Sequence, residues 1–463
     1  MKDLHYERRD GYRLYRNIRY ARSAPFELPE TVTNLQQEAD ACFYQPKIPG
    51  FMKWMRHPLM TADYALNNIP QSADAHLLHL YVPEEAKHAP VLIYLHGGGM
   101  QTGGIDCPAY HAGALAKAGI LTVLINYRLG ALHALRYNEC DNRGFHDQLA
   151  ALSWVHTAIS TFGGDADNIT LAGQSAGGMS ALLHACGPDA GRLFHKVILM
   201  SAAEPIPRTI QAAEAISRTV MHKFRPDQDF FRRPNRRLLL KMKQDAMKVT
   251  VDDSLAATHF LDAPVRIPML IGSCEEDMSF CGIAPLRRRT GITGNPTRMK
   301  KRLQALFGDA YSELMAAYAA INGPQDAMTK MIRIYGMLFH RTVYRQIIHA
   351  AAPVFAYRLA YAPPVFSGIR GAYHGADQRL FFDTTTIDEI GKKQVRTMQR
   401  DLFAFLRTGD PGFPAANTRQ MRLRYYTDGT TQDMPFPMAD FYAEAEKHDL
   451  FRHLAKRLAG LIA

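Results

Sequence analysis

Ile169-Thr170-Leu171-Ala172-Gly173-Gln174-Ser175-Ala176-Gly177-Gly178 carries an apolar, strand-like run straight into small residues that continue as a helix through Ser180, Ala181, Leu182 and Leu183. A serine with a glycine two positions away on each side suits a sharp strand-to-helix turn, because the neighbouring backbones approach too closely for side chains. Such a turn lifts the hydroxyl above a sheet and sets it over a helix N-terminus, where developing negative charge is favoured. The same pentapeptide also occurs as a plain tight turn, so the rest of the chain decides between the two.

Short, near-continuous apolar runs recur at 90–95, 121–126, 196–201, 268–272 and 354–359. Runs of this kind suit central strands of a parallel sheet covered on both faces. Helical patterns lie between them; from 147 to 160, Leu149, Leu152, Val155 and Ile159 share one face. The alternation predicts an α/β chain with a mostly parallel, twisted, doubly wound sheet flanked by helices. Stretches of about 208–261 and 294–342 are more helical and more basic. They read as helical insertions over the carboxyl edge of the sheet, where ligands bind in such folds. With no internal repeat and no low-complexity segment, residues 1–463 read as a single domain. The tail from 441 to 463 reads as an amphipathic helix bearing Leu450, Phe451, Leu454, Leu458 and Leu461, docked on that domain.

At 463 residues and 47% hydrophobic, the chain has ample material for a large core. No window of eighteen or more apolar residues is present, so no membrane span is expected. The start, Met1-Lys2-Asp3-Leu4-His5-Tyr6-Glu7-Arg8-Arg9-Asp10, is charged and lacks the apolar segment of a secretory signal, which points to the cytoplasm. Six cysteines at 42, 107, 140, 186, 274 and 281 form no C-x-x-C pair. That spacing excludes a disulfide scaffold and a zinc-ligand set, and free thiols in a reducing compartment are expected. No metal and no cofactor is expected. The net charge of +11 comes largely from clusters at 232–237, 287–289 and 298–302. None is interleaved with stacking aromatics, so they read as solvated surface and not as a nucleic-acid site.

A nucleophilic serine needs donors for an oxyanion, a base, and a group to orient that base. His96-Gly97-Gly98-Gly99-Met100 directly follows the apolar run 90–95, which is where an oxyanion loop belongs. A phosphate-cradling reading of these glycines fails, because neither G-K-[ST] nor G-x-G-x-x-G is present. The base is expected late in the chain, and Gly371-Ala372-Tyr373-His374-Gly375-Ala376-Asp377 offers His374 framed by small residues. An orienting acid in Ser…Asp/Glu…His order falls between them. Glu275, Glu276 and Asp277, just past the run 268–272, supply three adjacent carboxylates.

Together these residues resemble the type-B carboxylesterase/cholinesterase family of the α/β-hydrolases, from roughly residue 16 to 412. The resemblance rests on Asn126-Tyr127-Arg128-Leu129-Gly130, Asn142-Arg143-Gly144-Phe145-His146-Asp147-Gln148, Ala151-Leu152-Ser153-Trp154-Val155 and Phe162-Gly163-Gly164-Asp165. Asn168-Ile169-Thr170 then leads into the serine turn, and Arg407-Thr408-Gly409-Asp410-Pro411 resembles a late family segment. It implies an α/β-hydrolase fold, Ser175 as nucleophile, His374 as general base, and backbone N–H groups of Gly98, Gly99 and Ala176 as the oxyanion hole. It implies Asp277 as the acid, with Glu276 the alternative, because the family usually has Glu there. Gln174 departs from a common Glu, a change that the resemblance implies removes one charge near the imidazolium. Ala75 stands where secreted members carry a disulfide cysteine, in keeping with free thiols.

The function implied is hydrolysis of small to medium carboxylic esters through an acyl-enzyme, by a monomer or homodimer without nucleic-acid partner or stable membrane insertion. The same machinery opens amides and carbamates. A non-catalytic binding module of the same fold is the rival from another class, and the intact Ser175, His374, acid and glycine loop weigh against it. A hormone-sensitive-lipase-like enzyme shares the H-G-G-G loop, but the length, the 162–165 segment and the wide spacing from Ser175 to His374 argue against that group.

Overall fold

The structure is a computed structural model describing residues 4–38, 75–224, 247–251, 263–279, 292–361, 371–384, 389–427 and 429–447. Its strands in chain order are β1 (Glu7–Arg9), β2 (Tyr12–Arg22), β3 (Glu30–Gln37), β4 (Leu77–Pro83), β5 (Ala89–Leu95), β6 (Leu121–Ile125) and β7 (Gly164–Gln174). They continue with β8 (Lys196–Met200), β9 (Ile206–Arg208), β10 (Lys248–Thr250), β11 (Met269–Cys274), β12 (Val354–Leu359), β13 (Arg422–Thr427) and β14 (Thr430–Pro435). Five helices matter below: α1 (Arg143–Ala158), α2 (Ala176–Cys186), α3 (Ala327–His349), α4 (Ala376–Phe382) and α5 (Glu389–Thr408).

Twelve of the described strands form one sheet in the order β1-β2-β4-β6-β5-β7-β8-β11-β12-β13-β14, with β3 on β2. From β6 to β13 every neighbouring pair is parallel. The two margins, β1 to β4 and β14, are antiparallel. Each predicted apolar run is one of the parallel strands, and β5 explains why they are apolar at every position. Val91, Ile93 and Leu95 pack into a core shared with Leu152 and Val155 of α1 and Leu182 of α2. Leu92 and Tyr94 enter a second core on the other face, with Leu402, Phe405 and Leu406 of α5. A strand buried on both sides has no polar face to show.

Buried polar groups brace the loops at the carboxyl edge. Arg128 donates to Asp147 through Nε at 2.8 Å and a terminal nitrogen at 2.6 Å, and His76 Nε2 lies 2.9 Å from the same carboxyl. Burial alone would raise the Asp147 carboxyl, but Arg128 and His76 hold it well below the usual range. The Tyr-Arg and His-Asp segments read from the sequence thus tie the loop after β6 to α1.

Within the first helical insertion a helix spans Ile210–Phe224 and β10 pairs with β9; 225–246 and 252–262 lie outside the described residues. The second holds Pro296–Phe307, Tyr311–Asn322 and α3. Arg298, Lys300, Lys301 and Arg302 are exposed on the first of these, while 232–237 and 287–289 lie outside the described residues. The tail begins as a helix, Ala439–Lys447, with Phe441 and Tyr442 buried; its predicted remainder lies outside the described residues.

Candidate active site

Strand register sets where the site can form. Leu95 pairs with Gly173, Gln174 with Met200, Met200 with Gly272, and Cys274 with Leu359. Five neighbouring strands, β5, β7, β8, β11 and β12, therefore end near one edge, and the residues that follow them meet above it. Ser175 comes first, at φ 57° and ψ −120°, a conformation that costs a non-glycine residue about 1–3 kcal/mol. Its N–H donates to the Met200 carbonyl at 2.9 Å, and its own carbonyl accepts the Met179 N–H at 2.9 Å as α2 begins. A Cβ at position 173 would lie 2.2 Å from the Gly177 carbonyl oxygen, and one at 177 would lie 2.0 Å from the Leu95 oxygen. Both glycines are required by that close approach.

The glycine loop after β5 is held from several sides. The buried Tyr127 hydroxyl donates to the His96 carbonyl at 2.5 Å, and the two rings stack with centroids 4.5 Å apart. His96 Nδ1 donates to the Gly97 carbonyl at 2.8 Å. Burial lowers the His96 ring to about 4, so it is neutral at ordinary pH and keeps one donor for this bond. The Gly98 carbonyl accepts the N–H groups of Gln101 and Thr102, both at 3.1 Å. Among the described residues no protein acceptor takes the N–H of Gly98, Gly99 or Ala176. Three N–H donors without a protein acceptor thus remain on the glycine loop and at the N-terminus of α2, a setting that favours negative charge.

His374 lies on the connection between β12 and α4, and Gly375 at φ +84° turns the chain sharply into that helix. Its Nδ1 is 2.8 Å from Oδ1 of Asp277, whose side chain is fully buried. The other carboxylate oxygen, Oδ2, accepts the Cys274 N–H at 3.0 Å. The alternative acid, Glu276, is directed elsewhere, to Arg333 of α3 at 2.7 Å. Burial pushes the Glu276 carboxyl up even though Arg333 draws it down. The structure therefore brings Asp277, and not Glu276, to the imidazole. The turn bearing Asp277 is itself fixed: Glu276 N–H donates to Ala372 at 3.0 Å, and His340 Nε2 donates to the Cys274 carbonyl at 3.1 Å. Arg358 supports His340 from behind, at 3.0 Å from Nδ1.

Of the neighbours of the imidazole, the sequence places Gln174 near it and assigns no role to Phe339 or Asp377. Phe339 of α3 lies against the imidazole, ring centroids 4.7 Å apart. Gln174 Nε2 is 3.1 Å from His374 Nε2. Asp377 is fully buried beside Asp277; burial first, then the Asp277 charge, push its carboxyl up to about 6. It accepts from the Tyr357 hydroxyl at 2.8 Å and from the Gln378 N–H at 2.9 Å. Its place in the Gly371–Asp377 stretch was the only sequence signal for it, whereas Phe339 carried none. Among the described residues no group of three or more His, Cys, Asp or Glu side chains is arranged to hold a metal ion.

A largely parallel sheet with a nucleophile-type turn at the carboxyl end of β7 defines an α/β-hydrolase. A profile of the carboxylesterase family matches residues 2–436, so the chain belongs to that family and is an ester hydrolase. It is similar to a para-nitrobenzyl esterase of Bacillus subtilis (strain 168), 26% identical over 453 residues and 88% of each chain. It is also similar to a phenmedipham hydrolase of Pseudarthrobacter oxydans, 28% identical over 408 residues and 80% of each. A solved Geobacillus stearothermophilus carboxylesterase shares the fold at a TM-score of 0.76 and 23% identity, covering 95% of this chain and 98% of its own.

Proposed function

We propose that Ser175, His374 and Asp277 form the catalytic triad of a carboxylesterase acting on small to medium carboxylic esters, with the N–H groups of Gly98, Gly99 and Ala176 as the oxyanion hole. The observation that carries this is the 2.8 Å approach of His374 Nδ1 to the buried Asp277, in a chain whose serine stands at the strained turn beside unspent amides. Asp277 holds the ring with its proton on Nδ1, leaving Nε2 to accept. As Ser175 Oγ bonds to the ester carbonyl carbon, its proton passes to Nε2 and the carbonyl π electrons move onto oxygen, facing the amides. Collapse expels the alcohol, which takes the Nε2 proton. Water then repeats the sequence on the acyl-enzyme and releases the carboxylic acid.

One catalytic domain spans the chain in this reading, with helical insertions near 208–261 and 294–342 shaping the approach to the ester. Among the described residues no helix is long and apolar enough to cross a membrane, and Cys107, Cys140, Cys186 and Cys274 form no disulfide with one another. Thiols without disulfides among these four positions support a cytoplasmic enzyme, for which a monomer or homodimer is proposed. Hydrolysis of p-nitrophenyl esters of increasing acyl length tests the reading. Ser175→Ala is expected to fold and to lose on the order of 10⁶ in kcat. Retention of wild-type turnover in that variant would overturn the assignment.

A further inference from the structure

Gln174 sits on the residue before the serine, is buried, and directs its carboxamide at the ring proposed as the base. Its Nε2 is 3.1 Å from His374 Nε2, and a Cβ at Gly97 would lie 2.7 Å from its Oε1. The carboxamide is therefore wedged between the glycine loop and the imidazole. The polarity of the contact follows from the other side of the ring. With the Nδ1 proton given to Asp277 at 2.8 Å, Nε2 of the neutral ring has a single in-plane lone pair and no proton. Only the amide NH₂ can bond to it, so Gln174 donates and His374 accepts.

That lone pair is the one that must take the Ser175 proton. Once it has done so, Nε2 carries N–H, and a facing NH₂ becomes donor against donor. A hydrogen bond made to the neutral form of a base disfavours its charged form. We propose that Gln174 is a positioning residue for His374: its carboxamide holds the neutral ring in the resting site and sets how readily that ring accepts the serine proton. Among the described residues, the charged groups facing the imidazole include Asp277, from the turn after β11, and Asp377, from α4; α3 contributes the uncharged Phe339 and β7 the uncharged Gln174. Gln174 thus offers the ring a donor that matches its uncharged form. The inference rests on the triad reading above.

The test compares kcat/KM for p-nitrophenyl acetate from pH 4.5 to 9 in the wild type, Gln174→Met and Gln174→Glu. Methionine keeps the length and loses the donor; glutamate can only accept, and adds a charge that favours the imidazolium. The acid limb of the profile is expected to sit lowest in the wild type. It should move up by about half a unit in the Met variant and by about one to three units in the Glu variant. A merely structural role would lower the plateau or the melting temperature and leave the limb in place. Coincident limbs in the three proteins, or a reversed order, would overturn the inference. If Gln174→Glu does not fold, the Met variant carries the test alone. Loss of activity in Ser175→Ala with coincident limbs removes only this inference, whereas full activity in Ser175→Ala removes the triad itself.

Discussion

Asp277→Asn is the substitution whose outcome the geometry dictates most narrowly. The carboxylate has two separate partners: His374 Nδ1 at 2.8 Å on Oδ1 and the Cys274 N–H at 3.0 Å on Oδ2. The backbone N–H cannot turn away, so an asparagine must give it the amide oxygen. The NH₂ is then left facing His374 Nδ1, which has to accept in place of donating. The ring proton moves to Nε2, the nitrogen that should take the serine proton. A wrong tautomer of this kind lowers kcat by about 10⁴ in a well-studied serine-protease triad, equivalent to roughly 5 kcal/mol of transition-state stabilisation. Glu276→Gln is the matched control. It weakens an ion pair to the part-exposed Arg333, worth up to about 1 kcal/mol of stability, and leaves the imidazole untouched. Turnover of p-nitrophenyl acetate by both variants, with urea unfolding to check the fold, decides between them. A crippled Glu276→Gln beside an active Asp277→Asn would refute the reasoning.

Gly177→Ala puts a methyl group 2.0 Å from the Leu95 carbonyl oxygen, in a place where only backbone can give way. A loss of about 1–3 kcal/mol in urea unfolding is expected, together with a displaced Ser175 and reduced kcat; unchanged stability and rate would contradict the close approach. Tyr127→Phe removes the hydroxyl that donates to the His96 carbonyl and leaves that oxygen buried without this donor. It should cost about 1–3 kcal/mol and lower kcat more than it raises KM, since the glycine loop acts on the oxyanion; a pure KM effect would count against that role. Asp377→Asn should alter how stability depends on pH. Burial and the Asp277 charge push the folded carboxyl up to about 6, against 3.8 for an ordinary aspartate, so between these values the folded chain keeps a proton that the unfolded chain has released. Wild-type stability therefore falls as pH rises through that window, by on the order of 3 kcal/mol in all. The Asn variant lacks this slope, and its unfolding midpoint should gain on the wild type from pH 4 to pH 7; parallel curves would contradict the buried, raised carboxyl.

The parallel half of the sheet was legible because burial on both faces forces apolar residues at successive positions, as in β5 and β6. The antiparallel margin was not. Strand β2 carries Arg13, Arg16, Arg19 and Arg22 among its apolar positions, so its charge hid a strand in which Leu14, Ile18 and Tyr20 are buried. Ser175 and the glycines around it were readable because the turn restricts what the chain can place there. His374 stood out by its small neighbours, but the choice between Asp277 and Glu276 depends on which way each side chain leaves one short turn. Sequence adjacency carries no such direction; Arg333 of α3, drawing Glu276 away, supplies it. Phe339 and Gln174 reach the imidazole from distant and adjacent segments respectively, and only the packing of α3 and β7 against the same loop brings them together.

The most direct measurement is rapid quenching of the enzyme during p-nitrophenyl acetate turnover, followed by peptide mass analysis. An acetyl group on the peptide bearing Ser175, formed in a burst matching the enzyme concentration and missing from Ser175→Ala, is the predicted result. Steady hydrolysis by that variant, or an acetyl group carried by another side chain at the burst, would contradict the account.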